Sequence, residues 1–165
     1  MERSIILTNT EIQHKLRRMA FQIYENNSSQ RKIVIAGISK NGFLLAKKLQ
    51  ELVQEISPIK VIVCEVIIDK KNPRNPIKTS ISDDTYINKS LVLVDDVLNS
   101  GTTLMYAVRH FLNVPLQQFH TAVLVNRNHK KYPVKADFKG ISLSTSLQEH
   151  ITVEIDNTAM MAYLN

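Results

Sequence analysis

The sequence predicts an α/β fold with a central, mainly parallel sheet flanked by helices. Three observations predict it. Short apolar runs rich in branched residues recur, of which Leu91–Val94 is the plainest; runs of that length read as strands buried on both faces. Stretches with apolar residues at helical spacing alternate with them, in the order of βαβ units. Gly-containing turns stand where strands should hand over to helices, at Ser39–Gly42 and Asn99–Thr103.

The 165 residues are read as one domain, residues 1–165, with 44% hydrophobic and 22% charged side chains, values that exclude disorder. The net charge of +6 suits an anionic partner, whether a phosphorylated small molecule or nucleic acid. One cysteine, Cys64, excludes an internal disulfide framework, and its apolar neighbours predict a buried, inert thiol. The absence of an apolar leader and of any run of transmembrane length gives the expectation of a cytoplasmic protein, away from membranes.

In chain order, Thr8-Asn9-Thr10-Glu11 offers an N-cap for a helix whose apolar face carries Ile12, Leu16, Met19, Ala20 and Ile23. Its polar face holds His14, Lys15, Arg17 and Arg18, either a solvated face or a phosphate contact. Lys32–Ile38 reads as a buried strand, and Phe43, Leu44, Ala46, Leu49, Leu52 and Val53 mark the helix after it. Ile59–Ile68 is the next strand. Asp69–Pro76 is polar with two prolines, neither helix nor central strand. Ile77–Ile81 is a short return strand, and Asp83–Asn88 leads back to the run at Leu91. Leu104–Leu112 is helical, and Phe119–Val125 is a further strand.

The chemistry concentrates at Leu91–Thr103, LVLVDDVLNSGTT. A strand followed by a small-residue turn that opens a helix is a phosphate cradle, because loop amides and the helix N-terminus point at the anion. The adjacent carboxylates Asp95 and Asp96 could grip a vicinal diol and orient water around a magnesium ion. Alone, the pair could equally be a helix cap. With the strand before it and Ser-Gly-Thr-Thr after it, the stretch points to a ribose 5-phosphate.

Val94–Thr103 closely resembles the phosphoribosyl pyrophosphate loop of type I phosphoribosyltransferases. The resemblance implies that fold, with a small hood over the base. It implies that Asp95 and Asp96, with Asn99, are the catalytic residues. Val97, Leu98, Ser100, Gly101, Thr102 and Thr103 would wrap the substrate. Mg2+ would be the cofactor, held by Asp95, Asp96 and Asp156. Ser39-Lys40-Asn41-Gly42 resembles the family's pyrophosphate loop, which implies a non-proline cis peptide at Ser39–Lys40. Asp69–Pro76 stands at the place of the flap that closes over substrate, with Lys70, Lys71 and Arg74 to meet pyrophosphate. It is shorter than the usual flap and lacks its aromatic residue.

Ala122–His129 and Lys135–Ile141 look like the pyrimidine operon attenuation regulators, a branch that binds messenger RNA and often keeps uracil phosphoribosyltransferase activity. This implies base contacts from Arg127, His129, His150 and Ile151. Four positions depart from the branch: Asn126 for an aspartate, Asn99 for a tyrosine, Thr102 for an arginine, and Phe21 for a histidine. Arg18 matches an arginine of the RNA-contacting helix. The implied function is magnesium-dependent transfer of ribose 5-phosphate from phosphoribosyl pyrophosphate to a nucleobase, a pyrimidine such as uracil, with weak turnover. The alternative is an mRNA-binding regulator that uses the same site to sense a nucleotide. A homo-oligomer, dimer or higher, is expected in either case.

Overall fold

The structure, a computed structural model, describes residues 2–165. Two sheets organise them. The larger has the strand order β4-β3-β2-β5-β6-β7, formed by Lys32–Ile38 (β2), Lys60–Ile67 (β3), Lys78–Thr79 (β4), Ser90–Leu98 (β5), Gln118–Arg127 (β6) and Phe138–Leu143 (β7). Every pairing in it is parallel except β3 with β4. The sheet is therefore mainly parallel, as the buried runs required.

Asn9–Asn26 (α1) and Ser39–Ile56 (α2) cover one face, where Ile12, Leu16 and Leu49 pack in one cluster with Ile33, Ile35 and Val92. Thr102–Phe111 (α4) covers the other, where Leu104, Ala107 and Phe111 cluster with Leu91, Leu93 and Val123. Alternate residues of β5 thus feed opposite cores. Burying one such side chain contributes about 2 kcal/mol. A one-turn helix, Asp83–Tyr86 (α3), adds Tyr86, whose ring meets Phe111 edge-on at 5.1 Å. Cys64 is buried in the same cluster, and burial pushes its thiol pKa up, as an inert thiol requires.

α1 begins as its residues predict. Thr8 Oγ1 accepts from the Glu11 amide at 3.3 Å, while Glu11 Oε2 accepts from the Thr8 amide at 2.8 Å. A cap of this kind contributes about 1 kcal/mol. Its end is tied down by a polar cluster: Asn27 Nδ2 donates to Ile23 O at 2.8 Å, and Asn27 Oδ1 accepts from Gln118 Nε2 at 2.7 Å. The basic face is less free than its sequence suggested. Arg18 donates to Gly140 O at 2.7 Å and Lys139 O at 3.1 Å, tying α1 to edge strand β7. Arg17 lies 3.8 Å from Glu55.

The smaller sheet stands where the resemblance implies a hood, though its three strands were not read from the sequence. Its order is β1-β9-β8, antiparallel throughout, from Ser4–Leu7 (β1), Ile151–Ile155 (β8) and Met160–Leu164 (β9). Ser4 pairs with Leu164, so the two ends of the described chain meet here. This sheet forms the hood.

Candidate ribose-phosphate site

β5 carries both carboxylates inside the strand, which runs on to Leu98 rather than ending before Asp95. Consecutive strand residues point to opposite faces, so Asp95 and Asp96 meet different neighbours. Asp96 Oδ2 accepts from Asn41 Nδ2 at 2.9 Å, and the same amide nitrogen donates to Val153 O of β8 at 2.8 Å. Asn41 thereby fixes the carboxylate and one hood strand together. Asp95 is 5% exposed. Burial first, then repulsion from Asp96, raises its pKa well above the ordinary carboxylate range; Lys70 Nζ at 4.0 Å pulls the other way.

Beyond Leu98 the chain turns through Asn99 and Ser100 to Gly101, whose φ of 85° lies in the left-handed region. A side chain at Gly101 is excluded twice, by that φ and by a Cβ that would sit 2.6 Å from Val134 Cγ1. Ser100 O accepts from the Lys131 and Tyr132 amides at 2.8 and 3.2 Å, so segment 131–134 buttresses the turn. Inside it, Ser100 Oγ and Thr102 Oγ1 lie 2.8 Å apart, and the Thr102 amide donates to Ser100 Oγ at 3.3 Å. Among the described residues, the amides of Gly101, Thr103 and Leu104 find no protein acceptor. Free amides at a helix N-terminus, with three hydroxyls beside them, are what an incoming phosphate needs.

The cleft above this turn has a volume of about 360 Å³. It brings together Asn41, Lys70, the whole stretch Asp95–Thr103, and Ile151. Thr152 and Val153 of β8 complete the wall. Those two were left out of the sequence reading although Ile-Thr-Val-Glu-Ile alternates as a strand does; that alternation does not say where the strand packs, and its place beside the cleft is set by pairing with β9.

The remaining expected residues lie elsewhere. No peptide bond among the described residues is cis; Ser39 instead takes a left-handed φ of 57°, and α2 starts on it without an intervening loop. Lys40 is exposed and outside the cleft. Gly42 faces the backbone of β5 rather than a ligand: a Cβ there would lie 2.8 Å from Val94 O. In the flap only Lys70 reaches the cleft; Lys71 is exposed, and Arg74 faces a second hollow beside Arg109 and His110 of α4. Arg127 and His129 are engaged by the hood loop, through Thr145 and Ser146. His150 is exposed, and its backbone amide and carbonyl pair with Asn165.

Magnesium is bound through one or two carboxylates, substrate oxygens and retained waters. Asp95 and Asp96 fit that donor chemistry. Asp156 does not join them: it sits in the β8–β9 turn, outside the cleft, with Oδ1 accepting from the Thr158 and Ala159 amides at 2.7 Å each. Among the described residues, no group of three His, Cys, Asp or Glu side chains could hold a metal.

A mainly parallel sheet, a carboxylate pair and a phosphate turn at strand ends define a phosphoribosyltransferase-like protein. The phosphoribosyl transferase domain family matches residues 2–157, and the chain belongs to that family. Among curated relatives, the bifunctional protein PyrR of Streptococcus agalactiae is 31% identical over 160 residues, 94% of this chain and 91% of its own. That of Macrococcus caseolyticus is 32% identical over 165 residues, 94% of each. Among solved structures, the hypoxanthine phosphoribosyltransferase of Trypanosoma cruzi superposes with a TM-score of 0.79 at 16% identity, covering 96% of this chain and 95% of that one. A hypoxanthine-guanine phosphoribosyltransferase from Bacillus anthracis gives 0.72 at 19% identity, covering 87% and 84%. No helix among the described residues is long and apolar enough to cross a membrane.

Proposed function

We propose that this chain binds phosphoribosyl pyrophosphate or a nucleotide with Mg2+, and transfers ribose 5-phosphate to a pyrimidine base such as uracil. The observation that carries the reading is one cleft holding a carboxylate pair and a turn of unpaired amides, on a strand and a helix N-terminus. The turn would take the 5-phosphate, and Asp95 and Asp96 would accept from the ribose hydroxyls. Lys70 would offset negative charge at the pyrophosphate end. When bound, Mg2+ neutralises phosphate oxygens. The hood strand β8 would keep water from the reacting carbon, and the protein's work is mostly placement and electrostatics.

The same residues support binding better than speed. The flap brings one cation to the cleft, and Thr102 offers a hydroxyl where the branch has an arginine, its amide being turned to Ser100 Oγ. Losing a group that acts in the transition state lowers rate more than affinity. We expect phosphoribosyl pyrophosphate to bind and uracil turnover to stay below about one per second, a modest enzyme rate. A steady-state assay with both substrates and magnesium, beside calorimetry, tests this; no binding at all would remove the reading.

The second reading is a regulator that binds messenger RNA and senses nucleotides through this site. The likeness to bifunctional PyrR proteins and the exposed His14 favour it, while Arg18, drawn onto β7, weakens it. Salt-sensitive RNA binding that a nucleotide modulates would support it.

A further inference from the structure

We propose that Arg127 is a positioning residue that couples the phosphate turn to the hood, so that filling the turn orders the wall over the base. The proposal rests on reading the cleft as a ribose-phosphate site. Arg127 ends β6 and is 7% exposed, yet no carboxylate among the described residues lies within ion-pair distance of it. A charge buried that deeply is held by good hydrogen bonds or is costly. All three nitrogens are used. Nε donates to Thr145 Oγ1 at 2.5 Å and Nη2 to Ser146 O at 2.6 Å, both in the loop between β7 and β8. Nη1 donates to Asn99 Oδ1, in the phosphate turn, at 3.4 Å.

The two sides of this bridge are unequal. The hood contacts are short and place two donors of one rigid fork on consecutive residues, a geometry suited to arginine and not to lysine. The turn contact is at the long end of a hydrogen bond. The hood loop is also braced from within, since His129 Nε2 donates to Thr145 O, and Glu149 Oε2 accepts from the Ser146 amide at 2.6 Å. The guanidinium therefore travels with the hood, and its link to Asn99 is the one that a ligand can tighten. A phosphate drawn onto the Gly101, Thr103 and Leu104 amides fixes Asn99, shortens that link and steadies residues 144–149. Such coupling through one ordered element requires that each site bias the other.

Hydrogen exchange with ribose 5-phosphate as probe tests this, because that ligand has no base to touch the hood. In the wild-type protein, saturating ribose 5-phosphate should slow amides at 99–103 and also, at least threefold, those at 144–149. In Arg127→Gln and Arg127→Lys the turn should still be protected while the hood no longer responds. Were the arginine merely structural, the variants would have a looser hood that still slows on adding ligand. A hood indifferent to ligand in the wild type, or responsive in both variants, overturns the proposal. If ribose 5-phosphate fails to protect 99–103 at all, the ligand reading falls, and the ligand-free arm decides the clamp. There Asn99→Ala, which cuts only the turn side, should raise hood exchange at least twofold; no change refutes it. Asn99→Ala also replaces the Arg127 variants should these fail to fold.

Discussion

Gly37→Ala is the most damaging single methyl that the structure predicts. Gly37 lies in β2, and a Cβ there would stand 2.2 Å from Gly42 O and 2.5 Å from Phe43 Cα. Both are backbone atoms, so no flexible side chain can swing aside. The first turn of α2 would have to lift by about an ångström from a sheet at interior packing density. Overpacking costs roughly 1–3 kcal/mol where side chains can yield, and here we expect the upper end, about 3 kcal/mol. For a chain of this size each 1 kcal/mol lowers Tm by about 2–4 °C, giving a loss of roughly 6–12 °C. Gly42→Ala is the graded control. Its Cβ would meet Val94 O at 2.8 Å and Asp95 Cα at 3.5 Å, so a smaller shift suffices. That shift falls beside Asn41, and phosphoribosyl pyrophosphate affinity should drop with the Asn41–Asp96 bond even where the fold survives. Thermal melts and calorimetry on the two variants read these effects separately. A Gly37→Ala protein melting within 2 °C or so of wild type would refute the reasoning.

The contribution of Asp95 to the stability of the ligand-free protein should fall as pH rises from about 4, the usual carboxylate value. Asp95 has a raised folded pKa, so the folded state holds its proton through a window where the unfolded chain has lost it, and the slope is negative. Denaturant titrations across that range should show the slope flattened in Asp95→Asn; an unchanged slope would clear Asp95 of the effect. Asp95→Asn combined with Asp96→Asn should abolish magnesium-dependent phosphoribosyl pyrophosphate binding while keeping the wild-type circular dichroism spectrum, and undiminished binding would make the pair structural. Arg18→Ala should cost about 1.5 kcal/mol in chemical denaturation, the low end for hydrogen bonds to a charged group, because it frees two carbonyls of edge strand β7, one of them exposed. No loss would return Arg18 to the solvated face.

β2, β3, β5 and β6 were legible because each carries its own signal, a branched apolar run closed by a turn, and the strand-to-helix handover at Gly101 is local chemistry; β7, Phe-Lys-Gly-Ile-Ser-Leu, has no such run and was not read as a strand. The capping box of α1 was legible for the same reason. The hood was not. Ser-Ile-Ile-Leu at β1 and Met-Met-Ala-Tyr-Leu at β9 are ordinary short runs whose meaning comes from pairing with each other across the whole chain. Side-chain roles that depend on such distant contacts were equally hidden. Sequence left Arg18 between a solvated face and a phosphate contact and gave no sign of its bonds to β7, nor of those from Arg127 to Thr145 and Ser146. Ser39 shows a different limit: the resemblance implied an isomerised bond, and a single left-handed residue makes the turn instead.

The central place of β9 in the hood sheet bears on how the site is made. β8 and β1 each pair only with β9, so neither has a partner until residues 160–164 are present. The turn after β5 draws on β2, β5 and α4 and is braced by residues 131–134, all of which precede β8. On a growing chain the Asn99–Thr103 turn can therefore form well before its roof, and contacts between distant residues close slowly in any case. A nascent protein halted near residue 150 would hold the carboxylate pair and the turn with one wall of the cleft missing, and adding β9 would finish both the antiparallel sheet and the enclosure in one step.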